Sequence, residues 1–147
     1  MAVYFECVTH TQMSRTELFD RSRSIDAHLG SMSQTKEQAV AGVQSGLISF
    51  GEQVTWKARH FGIPFRLTTK ITAMDPARMF IDEQLRGPFK SFHHVHEFFD
   101  VDGKTMMIDR VSFAAPFGPL GWVAERLVLG WYMPQLIRQR NKFLLEN

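Results

Sequence analysis

Asp102-Gly103 separates two long runs, Phe89 to Val101 and Lys104 to Ala115, and dictates how they meet. Both residues tolerate a positive φ, so the pair favours a two-residue hairpin turn whose twist matches that of its strands. Such a turn pairs residues whose numbers add to about 205. His96 then lies opposite Asp109, His94 opposite Val111 and Phe98 opposite Met107. A short loop at Gly87 to Phe89 carries the pattern one strand further, with Asp82 opposite His94 and Gln84 opposite Phe92.

The period of two continues upstream. Val54, Trp56 and Ala58 alternate with Thr55, Lys57 and Arg59. Phe65, Leu67, Thr69 and Ile71 alternate with Arg66, Thr68, Lys70 and Thr72, and Met79 to Arg86 follows the Asp75-Pro76 turn. Ala39 to Val43 and Val3 to Thr9 read as two further strands. Ser14-Arg-Thr-Glu17 is a capping box, in which a hydroxyl and a carboxylate satisfy free N–H groups at a helix start. A short helix carrying Leu18 and Phe19 should follow, then a second helical turn with Ile25 and Leu29, then a loop from Gly30 to Gln34. From Pro119 on, Leu120, Val123, Leu127, Ile137, Phe143 and Leu144 recur at helical spacing, with a bend expected at Gly130 and Pro134.

Strands joined by short turns are antiparallel neighbours. The expected class is α+β. A curved antiparallel sheet of about seven strands grips a long C-terminal helix, with two short helices after the first strand. All of this fits one domain spanning residues 1–147.

Composition excludes several functions. Apolar residues make up 44% and charged residues 22% of the chain, which argues against disorder. The net charge of +2 is dispersed, and Arg138, Arg140 and Lys142 read as a solvated helix face rather than a nucleic-acid stripe. Cys7 is the lone cysteine, so an internal disulfide and a cysteine zinc site are ruled out. The opening MAVYFECVTH does not resemble a signal peptide, and no run reaches the roughly 18 to 20 apolar residues that span a bilayer. A soluble, cytoplasmic protein without stable membrane insertion is expected.

Four stretches carry a family resemblance: SIDAHLGSM at 24–32, GLISFGEQVTWKARHFG at 46–62, FIDEQLRGPFKSFHHVHEF at 80–98 and DRVSFAAPFGPLG at 109–121. In this order, over nearly the whole chain, they resemble the SRPBCC superfamily, the START-like and polyketide-cyclase-like group. The resemblance implies a helix-grip fold with an apolar cavity. It implies no particular reaction, since that superfamily is mixed in activity.

Side chains alternate across a strand. One face therefore carries Phe80, Asp82, Gln84, Phe92, His94, His96, Phe98, Met107, Asp109, Val111 and Phe113, and this face is assigned to the cavity. Trp56, His60, Phe65 and Leu67 are expected to join it, and Leu127 to Trp131 of the long helix to form its lid. His28 is expected at the surface. The opposite face holds Glu83, His93, Glu97 and Arg110 as a charge lattice, together with the apolar Met79, Ile81, Val95 and Ile108.

Three functional readings follow. The first is a binding protein for a small hydrophobic or aromatic molecule, with histidines held by carboxylates as polar anchors. The second is a cyclase- or dehydratase-like enzyme using a His–Asp couple as general acid and base, His96 with Asp109 first and His94 with Asp82 next. The third is an interaction module working through the outer sheet face, as in a homodimer. His-x-His also suits a metal, but the further Glu and His of cupin-like sites are missing, and no metal or cofactor is expected. Ser91 and Ser112 fall on the other face and Cys7 is far away in sequence, so covalent catalysis is disfavoured.

Overall fold

The computed structural model describes residues 3–146, apart from the side chains of residues 127 and 128. Its elements run β1 (Val3–Thr11), α1 (Arg15–Ser22), α2 (Ile25–Ser31), a 3₁₀ turn (Ser33–Thr35), β2 (Gln38–Gly42), β3 (Gln53–His60), β4 (Ile63–Asp75), β5 (Met79–Arg86), β6 (Ser91–Val101), β7 (Lys104–Ala114), α3 (Gly118–Ala124), a π-helical segment (Glu125–Leu129) and α4 (Gly130–Glu146). The seven strands form one antiparallel sheet in the order β1-β7-β6-β5-β4-β3-β2. This is the expected α+β helix-grip architecture.

The turn arithmetic holds. Asp102 and Gly103 have φ of 52° and 77°, the pair of positive values a type I′ hairpin needs. His96 faces Asp109, His94 faces Val111, Phe98 faces Met107 and Asp82 faces His94. Register shifts in the β4–β5 ladder mark two bulges, one at Leu85 of β5 beside Thr68 and Thr69 and one at Thr72 of β4, which bend the strands and help the sheet curve. The Ser14 hydroxyl accepts from the Glu17 amide at 3.2 Å, as the capping box requires. α2 runs through Gly30 to Ser31 and is followed by the 3₁₀ turn, so 30–34 is largely helical rather than a loop.

The C-terminal segment departs most from expectation. It is not one helix bent at Gly130 and Pro134. The regular helix stops at Ala124, passes through the π segment, and resumes at Gly130 with Pro134 inside α4. A Cβ added at Gly130 would sit 2.9 Å from the Glu125 carbonyl, so the wide turn depends on glycine there.

Two apolar clusters flank a central void. One joins Leu18, Phe19 and Ile25 to Phe80, Phe98 and Met107. The other joins Cys7, Phe92, Val111, Phe113 and Ile137. The outer face carries the expected charge lattice, with Arg110 bonding Glu97 at 2.5 Å and Glu6 at 2.6 Å. No helix among the described residues is long and apolar enough to cross a membrane.

Candidate functional site

The concave face of the sheet and the inner side of α4 enclose a cavity of about 530 Å³. Trp56 and His60 from β3, Phe65 and Leu67 from β4, Phe80 and Asp82 from β5, and Phe92, His94 and His96 from β6 all line it, as strand parity predicts. Other residues of the same parity do not reach it. Phe98 and Met107 pack under α1, where the Phe19 ring lies 5.4 Å from that of Phe98 and the Ser22 hydroxyl contacts the Met107 sulfur. Val111 and Phe113 are sealed into the second cluster. Gln84 folds back instead: its amide donates to the Phe89 carbonyl at 2.8 Å and its oxygen accepts from the Phe89 amide. Parity fixes the face, but which part of a face stays open depends on the helix above it.

The proposed lid needs correcting as well. Trp131 is 62% exposed and points away from the cavity, while the Leu127 side chain lies outside the described residues. Tyr132, Met133 and Ile137 line the cavity from α4 instead, with Leu129 from the π segment.

The polar wall rests on Asp109, which is fully buried behind the cavity surface and does not line it. His94 Nε2 lies 2.8 Å from Asp109 Oδ1, and His96 Nε2 lies 2.6 Å from Asp82 Oδ2. The expected partners are thus exchanged. Backbone register puts His96 across from Asp109, but the hydrogen bonds run diagonally, and His96 keeps only a 3.3 Å approach of Nδ1 to Asp109. The two imidazoles stack on each other at 3.7 Å, and His96 stacks on Phe80 at 3.9 Å.

The sequence reading missed the cation that completes this wall. Arg140 is buried, not part of a solvated helix face. Its guanidinium donates to Asp109 Oδ1 at 3.2 Å, to the Ser22 carbonyl at 3.0 Å and to Asn141 Oδ1 at 3.1 Å, and lies 3.4 Å from His96 Nδ1. Asn141 donates to Asp109 Oδ2 at 2.7 Å. A buried charge is tolerated when its hydrogen-bonding groups are matched in this way. The missed signal is the spacing: Arg140 follows the inward-facing Ile137 by three residues and precedes the inward-facing Leu144 by four.

Electrostatics follow from this packing. Burial alone would raise the Asp109 carboxyl. Hydrogen bonds from His94 and His96 and the charge of Arg140 overcome it and hold the group well below the usual carboxylate range. Burial likewise opposes ionisation of Asp82, and the bond from His96 with the nearby positive charges lowers it. Burial, followed by the charge of His96, pushes His94 below the ordinary imidazole range against the pull of Asp109. His94 is therefore neutral near pH 7. With Nε2–H donated to Asp109, its Nδ1 carries a lone pair and has no hydrogen-bond partner among the described residues.

A second polar group sits three strands away. His28, expected at the surface, lines the cavity, stacks on Trp56 at 4.2 Å and bonds Glu37 at 2.5 Å. Nearby, His60 Nδ1 meets the Tyr132 hydroxyl at 2.7 Å. Burial keeps His60 below its usual range and Tyr132 above its own, so both stay neutral near pH 7.

Asp82, His94 and His96 bring possible ligand atoms within 4.8 Å of one another. Two features oppose a cation there. Both imidazole Nε2 atoms are already engaged by the Asp109 and Asp82 carboxylates, and Arg140 already supplies a positive charge at the same wall.

No protein-family model and no curated protein matches the sequence. Solved structures do match. An aromatase/cyclase, Zhui, of Streptomyces sp. R1128 superposes with a TM-score of 0.78 at 14% identity, over 99% of this chain and 92% of that one. A protein of Thermus thermophilus gives 0.75 at 11% identity, over 97% of each chain. A START superfamily protein of Mycobacterium smegmatis gives 0.72 at 11% identity, over 96% of each. The chain shares the helix-grip fold of these structures.

Proposed function

We propose that the chain binds a small hydrophobic or aromatic molecule between the curved sheet and α4. The observation that carries this reading is the cavity itself. At about 530 Å³ it falls within the range of small-molecule pockets, and its walls are mostly apolar with a few polar side chains. The Asp82, His94, His96 and Arg140 wall is held rigid by its own hydrogen bonds, so it can orient a ligand hydroxyl or carbonyl without rearranging. Native mass spectrometry of protein purified from its own host tests the reading. A retained compound that fits the cavity supports it, and release of that compound by Ala58→Phe assigns the compound to the cavity.

A second reading, catalysis of a cyclase or dehydratase step, is favoured by one observation: the His94 nitrogen that Asp109 leaves free. His94 Nδ1 would take a proton from a carbon beside a ligand carbonyl, Asp109 would stabilise the imidazolium, and the proton would return to a departing hydroxyl, releasing water. In this role the couple is His94 with Asp109, in place of His96 with Asp109. Binding alone predicts that His94→Gln alters affinity with no turnover to lose. Catalysis predicts loss of turnover with binding retained.

A further inference from the structure

Antiparallel pairing puts the β3–β4 turn at 61–62, the β5–β6 loop at 87–90 and the β7–α3 loop at 115–117 at one end of the sheet. Phe61, Pro88, Phe89, Phe117 and Leu120 line the cavity there, so this end is its mouth. Its rim is unusually apolar for an exposed surface. Phe117 is 80% exposed, Leu120 72% and Phe61 63%, with Trp122 and Val123 exposed beside them. Phe61 and Phe117 also have φ of 54° and 71°. A phenylalanine in the left-handed region is strained, and an exposed one recovers little by burial. Both such residues stand on this rim.

The exposed charge at this end is mostly basic; Glu37, just before β2, lines the cavity but is nearly buried and bonded to His28. Arg59 and Arg66 flank the first turn, and Arg86 and Lys90 the second loop. The guanidinium of Arg126 lies 5.4 Å from the ring centroid of Trp122. Segments 57–68, 84–92 and 113–134 contain one carboxylate, Glu125, and it is buried against the Ala115 amide. The opposite end mixes signs, with Asp75 and Arg78 at one turn and Asp100, Asp102 and Lys104 at the other.

We propose that the mouth end docks on an anionic lipid bilayer, its aromatic and aliphatic tips entering the headgroup region and its arginines and lysine meeting lipid phosphates. Exposed aromatics ringed by basic side chains match the two layers of that surface, apolar below and negative above. A second copy fits worse, because a two-fold contact would set the basic rim against itself. The docking is peripheral and spans nothing. It would bring the cavity mouth against the lipid, where a hydrophobic molecule can enter without crossing water.

Flotation with vesicles of phosphatidylcholine alone, or of phosphatidylcholine with an equal share of phosphatidylglycerol, tests this. The mixed vesicles should bind at least about tenfold more tightly at low salt, and high salt should remove most of that advantage. Trp122→Ser with Val123→Ser, and separately Arg59→Glu with Arg126→Glu, should each weaken binding about tenfold or more without lowering Tm. No binding to mixed vesicles at low salt, equal binding to both kinds, or unchanged binding by both double variants overturns the proposal. Salt-sensitive dimerisation that these variants abolish, without vesicle binding, overturns it in favour of self-association. None of these outcomes touches the cavity reading, which concerns what the protein holds rather than where it docks.

Discussion

His94 donates its Nε2–H to Asp109, two residues along β7 from the Val111 that the register places opposite it. Asp109 thereby joins two strands to the C-terminal helix, through His94 and His96 on one side and Arg140 and Asn141 on the other. Asp109→Ala leaves the Arg140 guanidinium buried without its main counter-charge. Breaking a buried pair in this way costs about 3–5 kcal/mol. Urea unfolding should show a loss of that size, and Asp82→Asn, nearer the cavity space, a smaller one.

Arg140 and its neighbours separate a buried role from a surface one on a single helix. Arg140→Lys keeps the charge but cannot reach the Ser22 carbonyl, Asp109 and Asn141 together, so a clear drop in Tm is expected. Arg138→Ala and Lys142→Ala, both exposed, should change stability by no more than about 0.5 kcal/mol. Thermal unfolding of the three variants side by side makes the comparison.

Stability should fall with acid in two stages. His94 and His60 have depressed affinities for protons when folded, so their contribution is complete above the unfolded imidazole value near 6.5 and is lost as pH falls below it. Asp109 and Asp82 are depressed as carboxylates, so theirs is complete above the unfolded carboxyl value near 3.9 and is lost at lower pH. Denaturant midpoints should therefore be flat near pH 7 to 8 and decline below about pH 6.5. His94→Gln should shallow the first decline and leave the second.

Gly121 tests the entry to the helical segment. A Cβ there would lie 1.8 Å from the Pro116 carbonyl oxygen, an overlap that backbone cannot absorb without moving. Gly121→Ala should destabilise the protein by more than the few tenths of a kcal/mol expected at an open site, read by Tm and by faster amide exchange across 115–125.

How much of this the sequence discloses depends on the element. Register across β6 and β7 is legible because a two-residue turn leaves no freedom in the pairing, a short loop carries it on to β5, and the shared face of His94, His96 and Asp82 follows. The hydrogen-bond partners are not legible, because an imidazole reaches diagonally as easily as across. Phe98 and Met107 have the parity of cavity residues, and only the packing of α1 over them shows that their end of the sheet is closed. Arg140 is hidden by its neighbours: alternating with Arg138 and Lys142, it looks like a solvated stripe until its position on the Ile137–Leu144 face is weighed. The helix break at 125–129 has no strong local signal, since Gly130 and Pro134 mark a weak point without saying on which side the turn widens.

The central claim is that the space beneath α4 holds a guest, and titration with a neutral polarity-sensitive fluorophore tests it most directly. Ala58, on the cavity wall, is the position to block. Saturable binding by the native chain, abolished by Ala58→Phe at unchanged Tm, is the predicted result. Equal binding by both proteins, or none by the native chain, would contradict it.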